Sequence, residues 1–259
     1  MKKRFLFFAL PIMALLSFVS CGDNDEDTEK KDSFDVTVSG EIDNHSYVDL
    51  GLPSGIKWAT CNIGANNPRE SGEQFAWGET KTKTFYDWDN YKWGEGELNS
   101  KLTKYNTSAH YGEMDYRTVL EPADDAATAN WGRHWRMPTK EEFQELIDGC
   151  NWEAEFVDEA TGRLWIPTKE EIQEYYEAYD LWEIENKKME SPWDQWEVNG
   201  YIGTSKSNGN TIYIYDYDLL WSSTTDGSHY AYCIRSCRRG WEVDGDWRID
   251  GHNVRAVAK

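Results

Sequence analysis

Residues 135–150 read WRMPTKEEFQELIDGC, and residues 164–179 read LWIPTKEEIQEYYEAY. The string PTKEE therefore occurs twice, with 29 positions from Pro138 to Pro167. In each copy the proline keeps the preceding residue extended and cannot lie inside a helix. A threonine follows, and a glutamate three positions after it completes the pattern of a capping box. Each copy therefore predicts the start of a helix.

The residues after each start signal have the periodicity of an amphipathic helix. Apolar residues at positions i, i+3, i+4 and i+7 form one helix face, which packs against a core. In the first copy this face comprises Phe143, Leu146, Ile147 and Cys150. In the second copy it comprises Ile172, Tyr175, Tyr176 and Tyr179. The sequence thus predicts two helices with the same start.

Other motifs surround the first copy in a definite order. They are YVDLGLPSGIKWATCNIGA (47–65), GEQFAWGET (72–80), DDAATANWGRHWRMPT (124–139), WEVNGYIG (196–203), NGNTIYI (208–214), WSST (221–224) and GHNVRAV (251–257). In this order they resemble the Fibrobacter succinogenes major paralogous domain, a family of surface and secreted bacterial domains in the C-type-lectin-like group. The string WRMPTKEEFQEL also resembles a signature of formylglycine-generating-enzyme-like domains in that group.

The resemblance implies an α+β, C-type-lectin-like domain over residues 46–259, built from short antiparallel strands and one family helix. Its first strand, Tyr47–Leu52, is expected to pair with its last strand, Val254–Ala258. The dipeptides Asn208-Gly209 and Asp244-Gly245 are signals for hairpin turns between short β-rich runs.

The second PTKEE copy lies where the resemblance is interrupted. The family runs from a Cys-x-Trp, here Cys150 and Trp152, almost directly into the WEVNG-like hairpin. A repeat array would need several copies to bury a continuous core, and this chain has two. Residues 153–195 are therefore expected to be a helical insertion that arose by local duplication.

The N-terminus has the organisation of a bacterial lipoprotein signal. Lys2, Lys3 and Arg4 precede an apolar run from Phe5 to Val19, which is too short to be a spanning helix. We predict a signal peptide over residues 1–20 and lipidation of Cys21, whose acyl chains would anchor the protein. A secretory signal cut elsewhere is the alternative.

Residues 21–45 are predicted to form a flexible tether. They begin with CGDNDEDTEKKDS, which contains six acidic residues and almost no apolar ones. An acidic run behind the lipidated cysteine resembles the surface-export signal of Bacteroidota-type lipoproteins, which implies the cell outer membrane and an outward-facing, surface-exposed domain. Removal of residues 1–20 leaves 24 Lys+Arg against 47 Asp+Glu, a net charge of −23, which disfavours binding to nucleic acid.

The cysteines allow a disulfide outside the cytoplasm, and Cys61–Cys150 is the first pair to test. Cys233 and Cys237 would lie about 13 Å apart in one strand, too far to bridge. Their string, AYCIRSCRRG (231–240), resembles the catalytic cysteine pair of formylglycine-generating enzymes. The cysteines are one residue too close, however, and the arginine-rich continuation is missing, so that oxidase is only an alternative.

No catalytic, metal or cofactor site is predicted from motifs. The sequence contains no HExxH, P-loop or zinc-spaced Cys/His set. The pairs Asp216/Asp218 and Asp244/Asp246 could contribute to a Ca²⁺ site, but solvated turn acids are the preferred interpretation in so acidic a chain.

The chain has 14 Trp and 15 Tyr, which suggests stacking surfaces for sugars. Six tryptophans lie in family motifs and are predicted to be core residues: Trp58, Trp77, Trp131, Trp135, Trp152 and Trp221. Others remain candidates for a surface, among them Trp88, Trp93, Trp193, Trp241 and Trp247.

The predicted ligand site lies on the C-terminal strands, where arginine is concentrated. Alternation from Ala231 predicts Tyr232 and Ile234 on the inner face and Cys233, Arg235 and Cys237 on the outer face. The candidate binding residues are Arg235, Arg238, Arg239, Trp241, Trp247 and Arg248, of types common in binding hot spots and suited to a carboxylate-bearing ligand. The alternative is that these arginines only offset neighbouring acids through weak surface ion pairs.

The resulting hypothesis is a non-enzymatic binding or adhesion module for a glycan or protein ligand. A structural component of a surface assembly is the alternative from a different class. Domains of this fold are also targets of diversity-generating retroelements, which makes a variable protein a third possibility.

Replacing Cys21 with serine tests the lipid anchor. We expect the C21S variant to be unacylated and released from the membrane fraction, because the acyl chains supply the membrane affinity. Fractionation followed by immunoblotting measures this, and sedimentation of the variant with membranes would show that Cys21 is not the anchor.

Overall fold

The computed structural model describes residues 35–95, 101–158, 160–174, 177, 196–215, 219–237 and 240–259. In these residues the protein is an α+β domain with mostly antiparallel sheets and few helices, as predicted. Helix α1 spans Ala126–Trp131 and α2 spans Lys140–Gly149, and helical backbone also covers 169–174. Short 3-10 helices cover Trp88–Asn90, Ala109–Tyr111 and Pro122–Asp124.

The strands are, in chain order, β1 (Gly40–Ile42), β2 (His45–Val48), β3 (Lys57–Ala59), β4 (Gln74–Phe75), β5 (Gly94–Glu95), β6 (Lys101–Leu102), β7 (Trp135–Arg136), β8 (Cys150–Asp158), β9 (Leu164–Trp165), β10 (Trp196–Ser205), β11 (Thr211–Tyr215), β12 (Leu220–Thr225), β13 (Tyr230–Cys237), β14 (Gly240–Trp247), β15 (His252–Asn253) and β16 (Val257–Ala258). The sheets have the orders β1-β2-β3-β16-β7, β11-β10-β8-β9, β14-β13-β12-β15-β4 and β5-β6.

The start of α2 is the predicted capping box. The Thr139 hydroxyl accepts a hydrogen bond from the backbone N–H of Glu142 at 3.2 Å, and the Glu142 carboxylate accepts from the backbone N–H of Thr139 at 2.8 Å. Arg136 also donates to that carboxylate, at 2.7 Å and 2.5 Å. Phe143 and Leu146 are fully buried, so the predicted helix face is confirmed.

The second PTKEE copy repeats this arrangement. The Thr168 hydroxyl accepts from the backbone N–H of Glu171 at 3.2 Å, and the Glu171 carboxylate accepts from the backbone N–H of Thr168 at 2.9 Å. The helix start is therefore confirmed. The predicted apolar face beyond Ile172 lies outside the described residues.

The core consists of two large apolar clusters. One contains Trp77, Trp135 and Trp221, and the other contains Trp58 and the buried side of α2. These four tryptophans have no exposed surface, which confirms their predicted role. Trp131 and Trp152 are half-buried and pack against the same clusters.

The predicted pairing of the first strand with the last is wrong by one strand. Val257 in β16 is opposite Trp58 in β3 on one side and opposite Arg136 in β7 on the other. Strand β3 in turn pairs with β2, so β2 and β16 share a sheet without touching as neighbours. In this position beside β16, Trp58 of β3 packs on Phe143 of α2, with 5.5 Å between the ring centroids.

The end of the predicted tether belongs to the domain. Within residues 21–45, β1 pairs with β2 in the register Gly40↔Tyr47. The backbone N–H of Thr37 donates to the carbonyl of Thr211 at 3.2 Å, and the two hydroxyls lie 2.8 Å apart. Ordered structure therefore begins before residue 46, and the predicted tether is too long.

The predicted helical insertion begins with a strand. Strand β8 continues to Asp158 and pairs with β10 along its whole length, ending at Trp196↔Asp158. Glu155 in β8 has only 1% exposure, and its carboxylate accepts from the Arg69 guanidinium at 2.7 Å and 2.9 Å. Residues 153–158 are thus part of the sheet, and the helical description is wrong for them.

Two deletions distinguish the sheet from the rest of the insertion. In the first deletion, residues 159–195 are removed and Asp158 is joined to Trp196 through Asn-Gly. We expect it to preserve a cooperative melt, because Asp158 and Trp196 are already paired across the two strands and Asn-Gly closes a hairpin. Removal of 153–195 should abolish it, because this deletion also removes the part of β8 that pairs with β10 and the Glu155 carboxylate that holds Arg69.

Circular dichroism melting of both deletions measures the effect. Equal cooperativity in the two would show that Glu153–Asp158 is dispensable.

Candidate functional site

The C-terminal strands form a regular antiparallel ribbon. Strands β13 and β14 pair from Tyr230↔Trp247 to Cys237↔Gly240. Asp244-Gly245 lies inside β14, opposite Cys233 and Tyr232, and the predicted turn there is wrong. Asn208-Gly209 does connect β10 and β11, where Gly209 has a φ of 76°. Arg238 and Arg239, two predicted ligand residues, lie outside the described residues.

Trp241 and Trp247 lie at opposite ends of β14, about 20 Å apart at ~3.3 Å per residue. The ring of Trp241 packs against Trp152 at 5.3 Å and Tyr201 at 5.0 Å between centroids. It therefore helps to cover the second apolar cluster. The predicted proximity of the two tryptophans is wrong, because it depended on a turn at Asp244-Gly245.

Arg248 is a buried structural residue, which corrects its assignment to the ligand site. It has no exposed surface. One terminal nitrogen donates to the Tyr105 carbonyl at 2.8 Å and to the Thr225 hydroxyl at 2.6 Å, and the guanidinium lies 4.8 Å from the Trp77 ring centroid. Burial lowers the pKa of Arg248 below its ordinary value. A ligand in solvent cannot reach this side chain.

Arg235 is exposed, as predicted, but its charge is already paired. Its Nε donates to the Glu242 carboxylate at 2.7 Å, and a terminal nitrogen contacts the Asp244 carboxylate. The hydrogen bond to Glu242 and the neighbouring Asp244 raise the pKa of Arg235. For this residue the geometry matches the alternative interpretation, in which arginine offsets nearby acids.

Strand β13 is buried on both faces at its centre. Ile234 has no exposed surface, as predicted, but Cys233 has only 1% and does not face outward. The two side chains lie in different apolar clusters. Burial, with Asp246 and Asp244 nearby, raises the pKa of the Cys233 thiol to about 12. A reactive cysteine needs the opposite shift, so this environment disfavours the oxidase alternative.

The disulfide considered between Cys61 and Cys150 is not formed. Both cysteines are free thiols, as is Cys233. Cys150 ends α2 inside the second apolar cluster, whereas Cys61 is half-buried next to Thr60. The apolar helix face that buries Cys150 keeps it in the core.

A partly exposed aromatic cluster lies at the other end of the ribbon, and we define it as Trp88, Tyr111, His229, Tyr230 and Trp247. Trp247 is 41% exposed and Tyr230 is 36% exposed, and their ring centroids lie 4.6 Å apart. Trp88 meets Trp247 edge-on at 5.9 Å and contacts His229 at 4.6 Å, and His229 lies 4.4 Å from Tyr111. These rings are in continuous contact, and Tyr230 and Trp247 are the two that face solvent, whereas the other three are half-buried.

Capped 3-10 helices hold two members of this aromatic cluster in place. Asp87 caps the turn that carries Trp88 by accepting from the backbone N–H of Asn90 at 3.1 Å. Ser108 caps the turn that carries Tyr111. Sequence reasoning had named Trp88 and Trp247 as candidates but missed Tyr111, His229 and Tyr230, because their convergence depends on contacts between distant segments.

A separate polar recess of about 390 Å³ lies beside His45 and Trp131. The two rings stack 3.9 Å apart at an angle of 12°. Asn44 and Asn66 also line the recess and supply amide groups at its wall. This recess is the next candidate for a small ligand after the aromatic cluster.

One group of side chains could hold a metal ion among the residues described. Cys233, Asp246 and His252 bring a thiol, a carboxylate and an imidazole within 4.8 Å of one another. They come from three strands with no characteristic spacing, which is why motif searches miss them. Of the acid pairs considered for Ca²⁺, Asp244 is paired with Arg235, and Asp216 and Asp218 lie outside the described residues.

Alanine substitution of Arg248 and Arg235 tests the assignment of Arg248 as a buried structural residue and of Arg235 as an exposed one. We expect Arg248→Ala to lower the free energy of unfolding by ~3 kcal/mol or more, because it leaves a cavity and unsatisfied buried acceptors. Arg235→Ala should lower it by less than ~1 kcal/mol, since its ion pairs are exposed. Urea unfolding measures both, and similar values for the two would contradict the structural role of Arg248.

Comparison of the chain with protein-family models, with curated proteins and with solved structures gives no match. Within the described residues, each helix is too short or too polar to cross a bilayer.

Proposed function

We propose that the protein is a surface-exposed lipoprotein of the cell outer membrane, anchored through Cys21, and that its C-type-lectin-like domain binds a glycan without catalysing a reaction. The ordered family motifs support the fold, and the lipoprotein-like N-terminus supports the location. The aromatic cluster is the observation that carries the binding function. A protein ligand is the alternative that the experiment below separates from a glycan.

The aromatic cluster has the properties of a sugar-stacking surface. Exposed aromatic rings offer a flat apolar face to the C–H groups of a pyranose, while tyrosine and tryptophan keep a polar atom for its hydroxyls. Trp247 and Tyr230 are each more than a third exposed, and their rings are tilted by 39° to each other. Contiguous exposed apolar patches often mark binding sites, whereas single exposed apolar residues are ordinary.

The charge distribution favours a neutral glycan over the carboxylate-bearing ligand predicted from the arginines. Arg248 is buried, and Arg235 is paired with two carboxylates. Asp246 directly precedes Trp247, and Asp226 lies three residues before His229. An anionic ligand would meet the negative field of a chain whose net charge is −23 after removal of residues 1–20.

Alanine substitution of Trp247 tests the proposal. We expect the detergent-solubilised full chain to bind neutral oligosaccharides on a glycan-and-protein array, and Trp247→Ala to weaken that binding at least about tenfold, as loss of a central stacking residue does. Isothermal titration calorimetry with the best oligosaccharide measures the change.

Trp241→Ala is the matched control. It removes the same side chain about 20 Å away on the same strand, so it should preserve glycan affinity even where the melting temperature falls. Unchanged binding in Trp247→Ala would move the site, with the recess beside Trp131 as the next position. Binding to proteins and to no glycan on the array would overturn the glycan proposal.

A further inference from the structure

Three side chains of different chemistry converge on one face of the sheet β14-β13-β12-β15. They are the thiol of Cys233, the carboxylate of Asp246 and the imidazole of His252, and their ligand atoms all lie within 4.8 Å of one another. His252 Nε2 is 3.0 Å from Asp246 Oδ2. The glycan-binding proposal uses none of these atoms.

Strand register explains why they meet. Cys233 is opposite Asp244, so Asp246, two residues further along β14, lies on the same face. Trp221 of β12 is opposite Cys233 from the other side. The ring of His252 packs on Trp221 with 4.3 Å between centroids, which directs the imidazole towards the thiol.

Burial separates this group from ordinary surface acids. Cys233 has 1% exposure and His252 has 6%, while the Asp246 side chain has 33%. Two of the three side chains are therefore shielded from water, and the third lies where an ion could enter. Because the side chains of Cys233 and His252 are already fixed in the core, they would lose little conformational entropy on binding a metal ion.

We propose that Cys233, Asp246 and His252 form a zinc(II)-binding site. Zinc takes sulfur, nitrogen and oxygen ligands together in tetrahedral sites, whereas calcium and magnesium take oxygen almost exclusively. Ligand atoms bound to one zinc ion at 2.0–2.3 Å lie roughly 3.3–3.6 Å apart. Movements of about 1 Å bring this group to that geometry.

Three protein ligands leave a fourth position on the solvent side, near Asp246, for a water molecule. Binding replaces the S–H bond of Cys233 by a sulfur–zinc bond, and the thiol proton passes to solvent. The ion would connect β13, β14 and β15, and thereby the strand that carries Trp247. The alternative is a plain hydrogen bond between His252 and Asp246 beside an unrelated thiol.

Cobalt(II) is the probe, because it takes zinc sites and its thiolate complexes absorb in the near ultraviolet. We expect the full chain, stripped of metal in detergent, to develop a thiolate-to-cobalt charge-transfer band with one equivalent of Co²⁺, and zinc to displace it. Cys233→Ser should abolish the band. Cys61→Ser and Cys150→Ser are the matched controls and should retain it.

Asp246→Asn provides a second variant that keeps the shape of the side chain and a hydrogen-bond acceptor for His252. We expect this variant to bind zinc at least about tenfold more weakly. Loss of a residue that only supports a metal ligand already lowers metal affinity by about tenfold, and loss of a direct ligand should lower it by at least as much. Its melting temperature without metal should be close to that of the unaltered chain, and zinc should raise it less. Absence of the charge-transfer band, or its persistence in Cys233→Ser, would overturn the proposal.

Discussion

Burial of strand β12 is the constraint on which the rest of the domain depends. All residues of Leu220–Thr225 are buried, so their backbone polar groups must find partners inside the protein. The backbone N–H of Ser223 donates to the Pro138 carbonyl at 2.7 Å, and its carbonyl accepts from Leu120 at 2.9 Å. The Trp77 indole donates to another β12 carbonyl at 2.8 Å. These bonds fasten segments far apart in sequence to one central strand.

The position of β12 decides which parts of the C-terminal ribbon can meet a ligand. Because β13 lies between β12 and β14, its central residues Cys233 and Ile234 are enclosed by two apolar clusters. The end of the ribbon near Trp247 extends past this core and reaches solvent. Arg248 then turns back inside, where carbonyl and hydroxyl oxygens replace the water around its charge. The exposed aromatic surface and the buried arginine thus result from the same strand geometry.

Sequence reasoning succeeded where a structure depends on neighbouring residues. The capping boxes at Thr139 and Thr168 and the Asn208-Gly209 turn are local arrangements, and each formed as predicted. It failed where distant partners decide. Asp244-Gly245 has the composition of a turn, yet pairing with β13 keeps it extended. Arginine is a residue type usually found at the surface, and only the convergence of segments distant in sequence explains why Arg248 is buried.

The edge position of strand β14 affects how copies of the protein interact when they are crowded together. Among the described strands it has a neighbour on one side only, and such an edge can add a strand from another molecule. Glu242, Asp244 and Asp246 place three carboxylates along this edge strand, and Arg235 offsets only one of these charges, so two copies brought edge to edge would still repel each other. A lipid anchor of the kind proposed would hold many copies at high local concentration on one membrane. Acidic residues on this strand would then keep neighbouring molecules from joining into a continuous intermolecular sheet.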